Sequence, residues 1–581
     1  MIKKKNNMKK EGIIYIIFLG AILLSFPAKL FSQDTLKNIK DTIQKTEELK
    51  GEQINIISSY EPTIQEAFKL NENPKMNDTI LYVPNLKYSI QPVKYNTFFQ
   101  VEQIKPAKVI GESLIKLNRN IVKIGMGNYT SPYFELFLNN LRSKEYAYGV
   151  RLKHLSSNGK ISDVGFPGYS DNEIELNGKK FFKTFTTYAA INYQRNGYHL
   201  YGYNPEDFPK LNKDSITQVY NYIGVNAGIT SNYIDSLHYN YFADINYYLL
   251  GGKNVNNSNK ENFLNLTSMY KRPFKMKDKL NRSQLNIGLN ADFYNNSFNI
   301  PDFNISRNSL LLCFKPQYIL SIDKIRFDIG TNIYLDADST SKFRIYPDLK
   351  ITLNVSNNII IPYVGINGNA IKNSIYSIYN ENPFITTFPD LRKSYNKLNA
   401  YGGIKGTLSP DLYFSVKGSY TNIENLPLFI NDTNISAKNK FILIYDDADL
   451  FNLHAEISYK QIDKISIIAS GDYYSYAMKN EKEVWEKPNY LFNISGFYHF
   501  LSKYTLKCNI YMIGKTFARE SYLIKKELKP IVDANLGIEY KFKKDLSFYI
   551  NLNNILNQQN MRWNNYPVQK FNFLAGLSYS F

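Results

Sequence analysis

The chain has 581 residues, a formal net charge of +19, and 15% aromatic residues, of which 48 are Tyr and 37 are Phe. Its length exceeds that of one ordinary globular domain. No apolar run after Pro27 is long enough for a membrane helix and the mean hydropathy is −0.36, which excludes a helical membrane protein.

The first residues have the layout of an export signal. Five lysines within the first ten residues precede the apolar run Ile13–Phe26. A transmembrane anchor is the alternative, but the run is short for a span of roughly 20 residues and Pro27 ends it. We expect residues 1–33 to be a signal peptide that is cleaved near Ser32, so that the mature chain begins at Asp34.

Residues 34–120 are predicted to form a short, mostly extended N-terminal arm. The arm opens with the polar run DTLKNIKDTIQKTEELK, and prolines punctuate the remainder. Apolar residues are too few and too irregular to build a core there. The prolines in question are Pro62, Pro74, Pro84, Pro92 and Pro106.

Residues 121–581 repeat one unit: an alternating segment, a short polar turn, a second alternating segment and a longer loop. In 237–249, Leu, Tyr, Ile and Ala occupy one face and His, Asn and Asp the other. Strands need this period of two when lipid lies on one side and water on the other, and a helix would mix both classes. Further copies lie at 284–293, 325–333, 412–419 and 546–553.

The connections distinguish a membrane barrel from a soluble all-β protein. Tight turns alternate with long loops, as in outer-membrane barrels, and no repeated blade motif indicates a propeller. We predict an all-β membrane protein, a large antiparallel transmembrane β-barrel of about 22 strands (roughly 16–22), in the outer membrane of a Gram-negative cell. The turns lie at Asp323, Asp411, Asp463, Ser502 and Asp545, and the loops at 195–214, 371–393, 422–446 and 557–569.

Four charged residues alternate with apolar neighbours in these strands. Asp244, Arg326, Asp328 and Lys417 are predicted to face the lumen, where they would tune selectivity if the barrel conducts.

The long loops carry many aromatic side chains. Such residues provide contact area for a ligand or partner at low entropic cost, but girdle positions or packing between loops would also explain them. The candidates for contact are Tyr201, Tyr203, Tyr376, Tyr379 and Phe384, with Tyr198 and Phe388 in the same loops.

The last strand, FNFLAGLSYSF, ends the chain on an aromatic residue. Phe581, Tyr579 and Gly576 resemble the C-terminal assembly signal of outer-membrane proteins, although Leu574 stands where a polar residue is usual. The resemblance implies that the barrel-assembly machinery binds this strand.

The segment 552–581 resembles the last hairpin of TonB-dependent receptors. The resemblance covers the barrel, but its specific motifs occupy only the last thirty or so residues. It implies an outer-membrane receptor or transport barrel that passes or binds an unidentified solute. The matching positions are Asn554, Ile555, Asn557, Trp563, Tyr566 and Pro567.

The chain departs from that family in lacking a full plug domain before the barrel. The arm is then either a reduced plug inside the lumen or a periplasmic docking segment. INIISSYEPT, from Ile54, resembles a short stretch that opens a plug or pairs with TonB, so TonB or another envelope protein is an expected partner. A periplasmic arm favours the alternative function, a non-transporting structural or assembly subunit of an outer-membrane complex.

Residue patterns of an enzyme, a metal site or a cofactor site are not found. The five histidines lack metal-ligand spacing, and Cys313 and Cys508 are expected to be apolar strand residues rather than a disulfide. The HLSS run from His154 could belong to a lipid hydrolase or to a polar loop, and the Asp446–Asp449 stretch to a Ca²⁺ site or a solvated loop. Outer-membrane lipid and lipopolysaccharide are expected partners, whereas nucleic acid is not.

Overall fold

The computed structural model describes residues 120–140, 143–233, 238–255, 257–274, 282–301, 303–338, 341–356, 359–461, 464–521 and 524–581. The signal peptide, residues 34–119 of the arm and the segment INIISSYEPT lie outside these residues. Their domain bounds therefore stay predictions.

Twenty-two strands form one antiparallel sheet, and four shorter strands form two hairpins in loops. The barrel strands are β1 (Asn120–Gly127), β2 (Ser131–Asn139), β3 (Tyr146–Ser157), β4 (Tyr169–Phe181), β5 (Phe185–His199), β6 (Thr217–Ser231), β7 (Asn240–Lys253), β8 (Ser258–Phe274), β9 (Arg282–Ile300), β10 (Phe303–Ile322), β11 (Ile325–Ala337), β12 (Ser341–Leu353), β13 (Ile361–Ile371), β14 (Ser394–Ser409), β15 (Leu412–Asn431), β16 (Phe441–Gln461), β17 (Ile465–Met478), β18 (Tyr490–Phe500), β19 (Tyr504–Ile513), β22 (Ile531–Lys541), β23 (Leu546–Asn553) and β26 (Asn572–Ser580). The hairpins are β20 (Thr516–Arg519) with β21 (Lys525–Leu528) and β24 (Met561–Trp563) with β25 (Tyr566–Pro567), and the helical turns are a 3₁₀ turn (Asp214–Ile216) and the helix α1 (Ile375–Glu381).

The sheet closes where the first barrel strand meets the last. β1 pairs antiparallel with both β2 and β26, and Asn120 and Phe581 exchange two backbone hydrogen bonds of 3.0 Å. Both ends of the sheet therefore lie at one rim, here called the terminal rim, and the opposite rim is called the loop rim. The predicted closed barrel of about 22 strands is confirmed.

The connections differ in length between the two rims. At the terminal rim they are short, the longest being 232–239, whereas the loop rim carries 200–216, 372–393, 514–530 and 554–571. Outer-membrane barrels place short turns in the periplasm and long loops outside the cell, so the terminal rim is the periplasmic one.

The outward faces of the strands form an apolar belt. On β7, Ile245 is 52% exposed while Leu250, on the opposite face, is buried. Large exposed side chains in a continuous belt are stable only against lipid, because water would disfavour so much apolar surface. No helix among the described residues is long and apolar enough to cross a bilayer.

Two sequence predictions need correction. The strand expected from Leu237 begins at Asn240, and most of the predicted loop 422–446 is strand, because β15 extends to Asn431 and β16 starts at Phe441. Side chains on both faces of this extension, Leu428, Phe429 and Ile430, are buried because neighbouring loops pack around it. An extension covered on both sides does not alternate in polarity, so its sequence pattern favours a loop.

Candidate functional site

The loop 372–393, here called the inward loop, packs against the inner wall of the barrel below the loop rim. Its helix α1 contributes Ile375, Ile378 and Tyr379 to a buried apolar cluster, here called the mouth core, together with the inner faces of β6–β9. Because the cluster also takes in β15, β16 and the loop 554–571, it joins separate parts of the wall. The mouth core comprises Tyr220, Tyr248, Leu250, Phe263, Tyr294, Phe298, Ile375, Ile378, Tyr379, Ile385, Phe429, Phe441, Leu443, Trp563 and Tyr566.

A carboxylate in the wall holds the start of α1. Glu261, on β8, is 0% exposed, and its two oxygens accept the backbone N–H groups of Ile375 at 2.8 Å and Tyr376 at 3.1 Å. The Tyr248 hydroxyl donates to the same carboxylate at 2.9 Å. Ser374 adds a capping box, so the first turn of the helix has partners from the loop and from the wall.

Polar contacts also fasten the rest of the inward loop. Asn259 donates to the Thr387 carbonyl at 2.7 Å, and Gln218 donates to the Ile385 carbonyl at 3.0 Å. At the two ends of the loop, Lys372 pairs with Asp292 and Lys393 with Asp336. Since these wall residues belong to β6, β8, β9 and β11, the loop is held to four strands.

The loop 554–571 completes the mouth core. Tyr566 is 1% exposed, stacks on Phe384 of the inward loop with ring centres 3.7 Å apart, and donates its hydroxyl to the Asn439 carbonyl at 2.5 Å. Asn554 begins this loop and donates to the carbonyls of Gln558 and Gln569 at 2.7 and 3.1 Å. Three of the positions that resemble the receptor hairpin, Asn554, Trp563 and Tyr566, are thus buried structural residues of the mouth.

A second buried carboxyl lies between two mouth loops. Glu486, in the loop 479–489, is 1% exposed and accepts the backbone N–H of Asn564 at 3.4 Å. Its other oxygen accepts no hydrogen bond from a described residue. Burial raises the pKa of the Glu486 carboxyl to about 8, although Arg562 and Lys526 oppose the rise.

A cavity of about 590 Å³ lies against the inner faces of β3–β5, β19, β22, β23 and β26 and reaches Phe384. Asp171 and Asp533 line it together with Tyr198 and amide side chains. Tyr511 donates to Asp533 at 2.8 Å, but the second oxygen of Asp533 and one oxygen of Asp171 accept no hydrogen bond from described residues. The carboxylate, amide and tyrosine side chains that line the cavity suit a polar molecule with hydrogen-bond donors.

The residues predicted to face the lumen lie on the strand faces opposite the apolar belt. Asp244 accepts hydrogen bonds from Tyr188 at 2.7 Å and from Asn226 at 2.8 Å. Near the terminal rim, Arg326 donates to Asp328 at 2.7 Å. Lys417 lies over the Tyr401 ring at 5.1 Å, on neighbouring strands. Their role in selectivity stays a prediction.

The aromatic candidates for ligand contact meet in the mouth rather than standing free. Tyr379 and Tyr203 are buried, and Tyr201, Tyr376 and Phe384 pack against the mouth core. Tyr201 also donates to the Pro567 carbonyl at 3.0 Å. Of the explanations offered for these aromatic residues, packing between loops is the one that fits this geometry. Contact with a ligand stays a prediction for the partly exposed rings.

Glu261, Asp292 and Glu486 are not among the site residues predicted from the sequence. An isolated acidic residue in a strand or loop gives no signal of the helix, lysine or amide that it will meet. Alternation in 284–293 places Asp292 on the polar face, and no other signal points to these three residues.

The structure also shows the surroundings of the HLSS histidine, of the acidic stretch from Asp446 and of the two cysteines. His154 contacts Asn172 at 2.7 Å and Ser156 at 3.1 Å, which we interpret as a polar cross-strand contact. Asp446 accepts the backbone N–H groups of Asn480 and Glu481, so it organises the loop 479–489. Both cysteines are free.

Three solved structures with similar folds are receptors. The pyoverdine outer-membrane receptor FpvA of Pseudomonas aeruginosa is 13% identical, with 81% of this chain and 79% of that chain covered and a TM-score of 0.60. The siderophore receptor PirA of Acinetobacter baumannii is 12% identical (81% and 81%, TM-score 0.61). The ferric-catecholate import receptor Fiu of Escherichia coli is 10% identical (80% and 82%, TM-score 0.59).

No protein-family model and no curated protein matches the chain. At these identities the structural likeness establishes the fold, which is that of outer-membrane receptor barrels. The predicted resemblance to receptor barrels is therefore confirmed as a statement about fold, and the apolar belt agrees with the outer membrane as the location. All three similar proteins are described as receptors. That this chain is not an enzyme stays a prediction.

Proposed function

We propose that this protein is an outer-membrane receptor that admits a small solute through its barrel under the control of the mouth loops. The observation that carries the proposal is the inward loop. It lies inside the wall, it joins the mouth core, and buried polar residues of four strands hold it. A loop held by hydrogen bonds and ion pairs has a defined closed position from which it can be released, as a gate requires.

The solute is proposed to be a polar chelate of the size of a siderophore. The similar receptors named above bind pyoverdine or import ferric catecholates, and the cavity beside Phe384 supports a ligand of this kind. Its volume lies within the usual range for small-molecule sites, roughly 300–1,000 Å³. Hydroxyl or ammonium groups of such a ligand would donate hydrogen bonds to the carboxylate and amide side chains that line the cavity.

Uptake and conductance test the proposal together. Cells lacking their own siderophore receptors would be given this full-length protein and supplied with radioactive iron on pyoverdine, a catecholate or a hydroxamate. We expect uptake of at least one complex, with loss of uptake in cells that lack TonB. The matched control is a variant in which residues 373–392 are replaced by a short Gly/Ser linker.

In planar bilayers the full-length protein should be closed, and the linker variant should conduct more often. A variant lacking 34–119 would show whether the arm also closes the barrel. A barrel that stays closed in all three forms and imports none of the complexes would refute the receptor proposal. That result, with recovery of other envelope proteins in a pull-down from native membranes, would favour the structural or assembly subunit.

A further inference from the structure

The terminal rim carries a group of lysines on neighbouring turns. Six belong to the ends of β16–β23 and the turns between them, and all six are exposed. The turns are adjacent in space, because the Lys541 backbone N–H donates to the Lys503 carbonyl at 2.7 Å and the His499 N–H to the Lys464 carbonyl at 2.8 Å. This group, here called the lysine collar, comprises Lys460, Lys464, Lys503, Lys541, Lys543 and Lys544.

No ion pair joins a collar lysine to another described residue, in contrast to the loop rim. There, Lys487 pairs with Glu381 at 3.2 Å and Lys525 with Glu483 at 2.6 Å. Further pairs at the loop rim neutralise Lys372, Lys393, Lys479 and Arg519. The protein thus balances many of its charges at one rim and leaves the collar of the other rim available to anions.

A row of aromatic rings lies directly beside the collar on the lipid-facing side. Ring centres are 5.0 Å apart between Phe500 and Tyr504 and between Tyr504 and Tyr540, and 6.5 Å apart between Tyr540 and Phe542. The Lys543 ammonium lies 5.8 Å from the centre of the Phe542 ring. Aromatic rings of this kind sit at the level of lipid headgroups, which places the collar lysines at the phosphate level of the same leaflet.

The pattern recurs around the rim. Lys180 lies over Phe182 at 5.2 Å, and Arg272 lies over Tyr239 at 5.5 Å and Phe274 at 5.3 Å. A cation next to an interfacial ring is therefore a repeated feature of the terminal rim. The collar adds six lysines to this pattern, and among the described residues of its turns Asp545 is the acidic one.

We infer that the lysine collar binds the phosphate groups of anionic phospholipids in the periplasmic leaflet. The positive charge of the collar complements the negative phosphate groups, and the aromatic rings fix the collar at the depth of the lipid headgroups. The terminal rim lies at the periplasmic leaflet, which consists of phospholipid. Lipopolysaccharide is not the ligand of this surface, because it occupies the opposite leaflet. The inference is independent of the solute and of the receptor role.

The test compares two full-length variants with equal loss of charge. The collar variant carries Lys503→Gln, Lys541→Gln, Lys543→Gln and Lys544→Gln. The control carries Lys160→Gln, Lys210→Gln, Lys529→Gln and Lys570→Gln, four exposed lysines of the loop rim. A shift in gel mobility on heating establishes that each variant is folded before binding is measured.

Native mass spectrometry of the detergent-solubilised proteins, titrated with phosphatidylglycerol or phosphatidylcholine, counts the bound lipids. Wild type and control should prefer phosphatidylglycerol, and the collar variant should bind it at least tenfold more weakly, because each of the four lost lysines contributes roughly fivefold near an anionic surface. The preference should fall with added salt.

Equal phosphatidylglycerol binding by the collar and control variants would overturn the inference. So would a collar variant that loses binding to lipopolysaccharide but keeps phosphatidylglycerol. Collar-dependent binding to isolated peptidoglycan, without any preference for the anionic lipid, would assign the surface to a different partner and would also overturn it.

Discussion

Glu486 makes the contact between two mouth loops dependent on pH. Its pKa is raised to about 8 from an ordinary value of 4.5, so the packed loops hold a proton that the separated loops release at neutral pH. The contact between the two loops has its full stability at pH values below about 4.5, where the carboxyl is protonated in both the packed and the separated loops. It loses stability as the pH rises from there toward about 8. Above that value the loss is constant.

The substitution Glu486→Gln should remove this dependence. We expect the variant to resemble wild type at pH 4 and to protect the loops 479–489 and 554–571 better at pH 9, by on the order of 1–3 kcal/mol. Hydrogen exchange of these loops, corrected for the intrinsic effect of pH, measures the difference. Glu527→Gln, at an exposed carboxyl of the loop 514–530, is the control, and an equal effect of both substitutions would contradict the explanation.

At the scale of elements, the position of α1 depends on a residue of another element. Two backbone N–H groups of the helix donate to separate oxygens of Glu261, which also accepts from Tyr248. A glutamine there would present an amide N–H₂ to one of the helix donors. The helix would lose a charged acceptor and gain a repulsive contact.

Glu261→Gln should therefore loosen the inward loop without unfolding the barrel. Loss of one hydrogen bond to a charged group costs about 1.5–3 kcal/mol, which corresponds to roughly ten- to hundredfold faster exchange of the amides in 372–393. Hydrogen exchange with mass spectrometry measures this, and Glu175→Gln, on the inner face of β4, is the matched control. Unchanged exchange in the loop would show that the mouth core alone holds it.

Two further outcomes connect this element to function. If the loop is a gate, Glu261→Gln should also raise the frequency of open events in planar bilayers. Faster exchange with no added conductance would separate the attachment of the loop from the gating role.

At the scale of the whole molecule, the seam between β1 and β26 decides whether the sheet closes. The seam joins residues that are most of the chain apart, and Asn120 and Phe581 form its last hydrogen-bonded pair. A closed barrel has no free edge, which lipid would leave without hydrogen bonds. Removal of the end of β26 would expose such an edge.

Deletion of Tyr579–Phe581 should thus remove most of the folded protein from the outer membrane. Heat-dependent gel mobility and resistance to added protease measure the folded fraction. Phe548→Ala, which removes an outward aromatic ring of β23 without touching the seam, should leave most of the protein folded. If both variants fold equally well, the predicted assembly signal at Gly576, Tyr579 and Phe581 is wrong.

The sequence by itself determined the wall of this protein. Alternation is a local property, since each strand residue faces lipid or lumen according to its parity, so Ile245 and Asp244 could be assigned to opposite faces without knowledge of their neighbours. The lengths of the turns and loops distinguished the two rims of the barrel, and the aromatic last strand indicated an outer-membrane barrel.

The mouth was decided only by the tertiary structure. Glu261 and Ile375 are 114 residues apart, and Glu486 and Asn564 are 78 residues apart. No periodic pattern links such residues, because loops follow the contacts that they find rather than a repeat of their own. The extension of β15 and β16 was missed for the same reason: loops that cover both of its faces erase the alternation by which a strand is recognised.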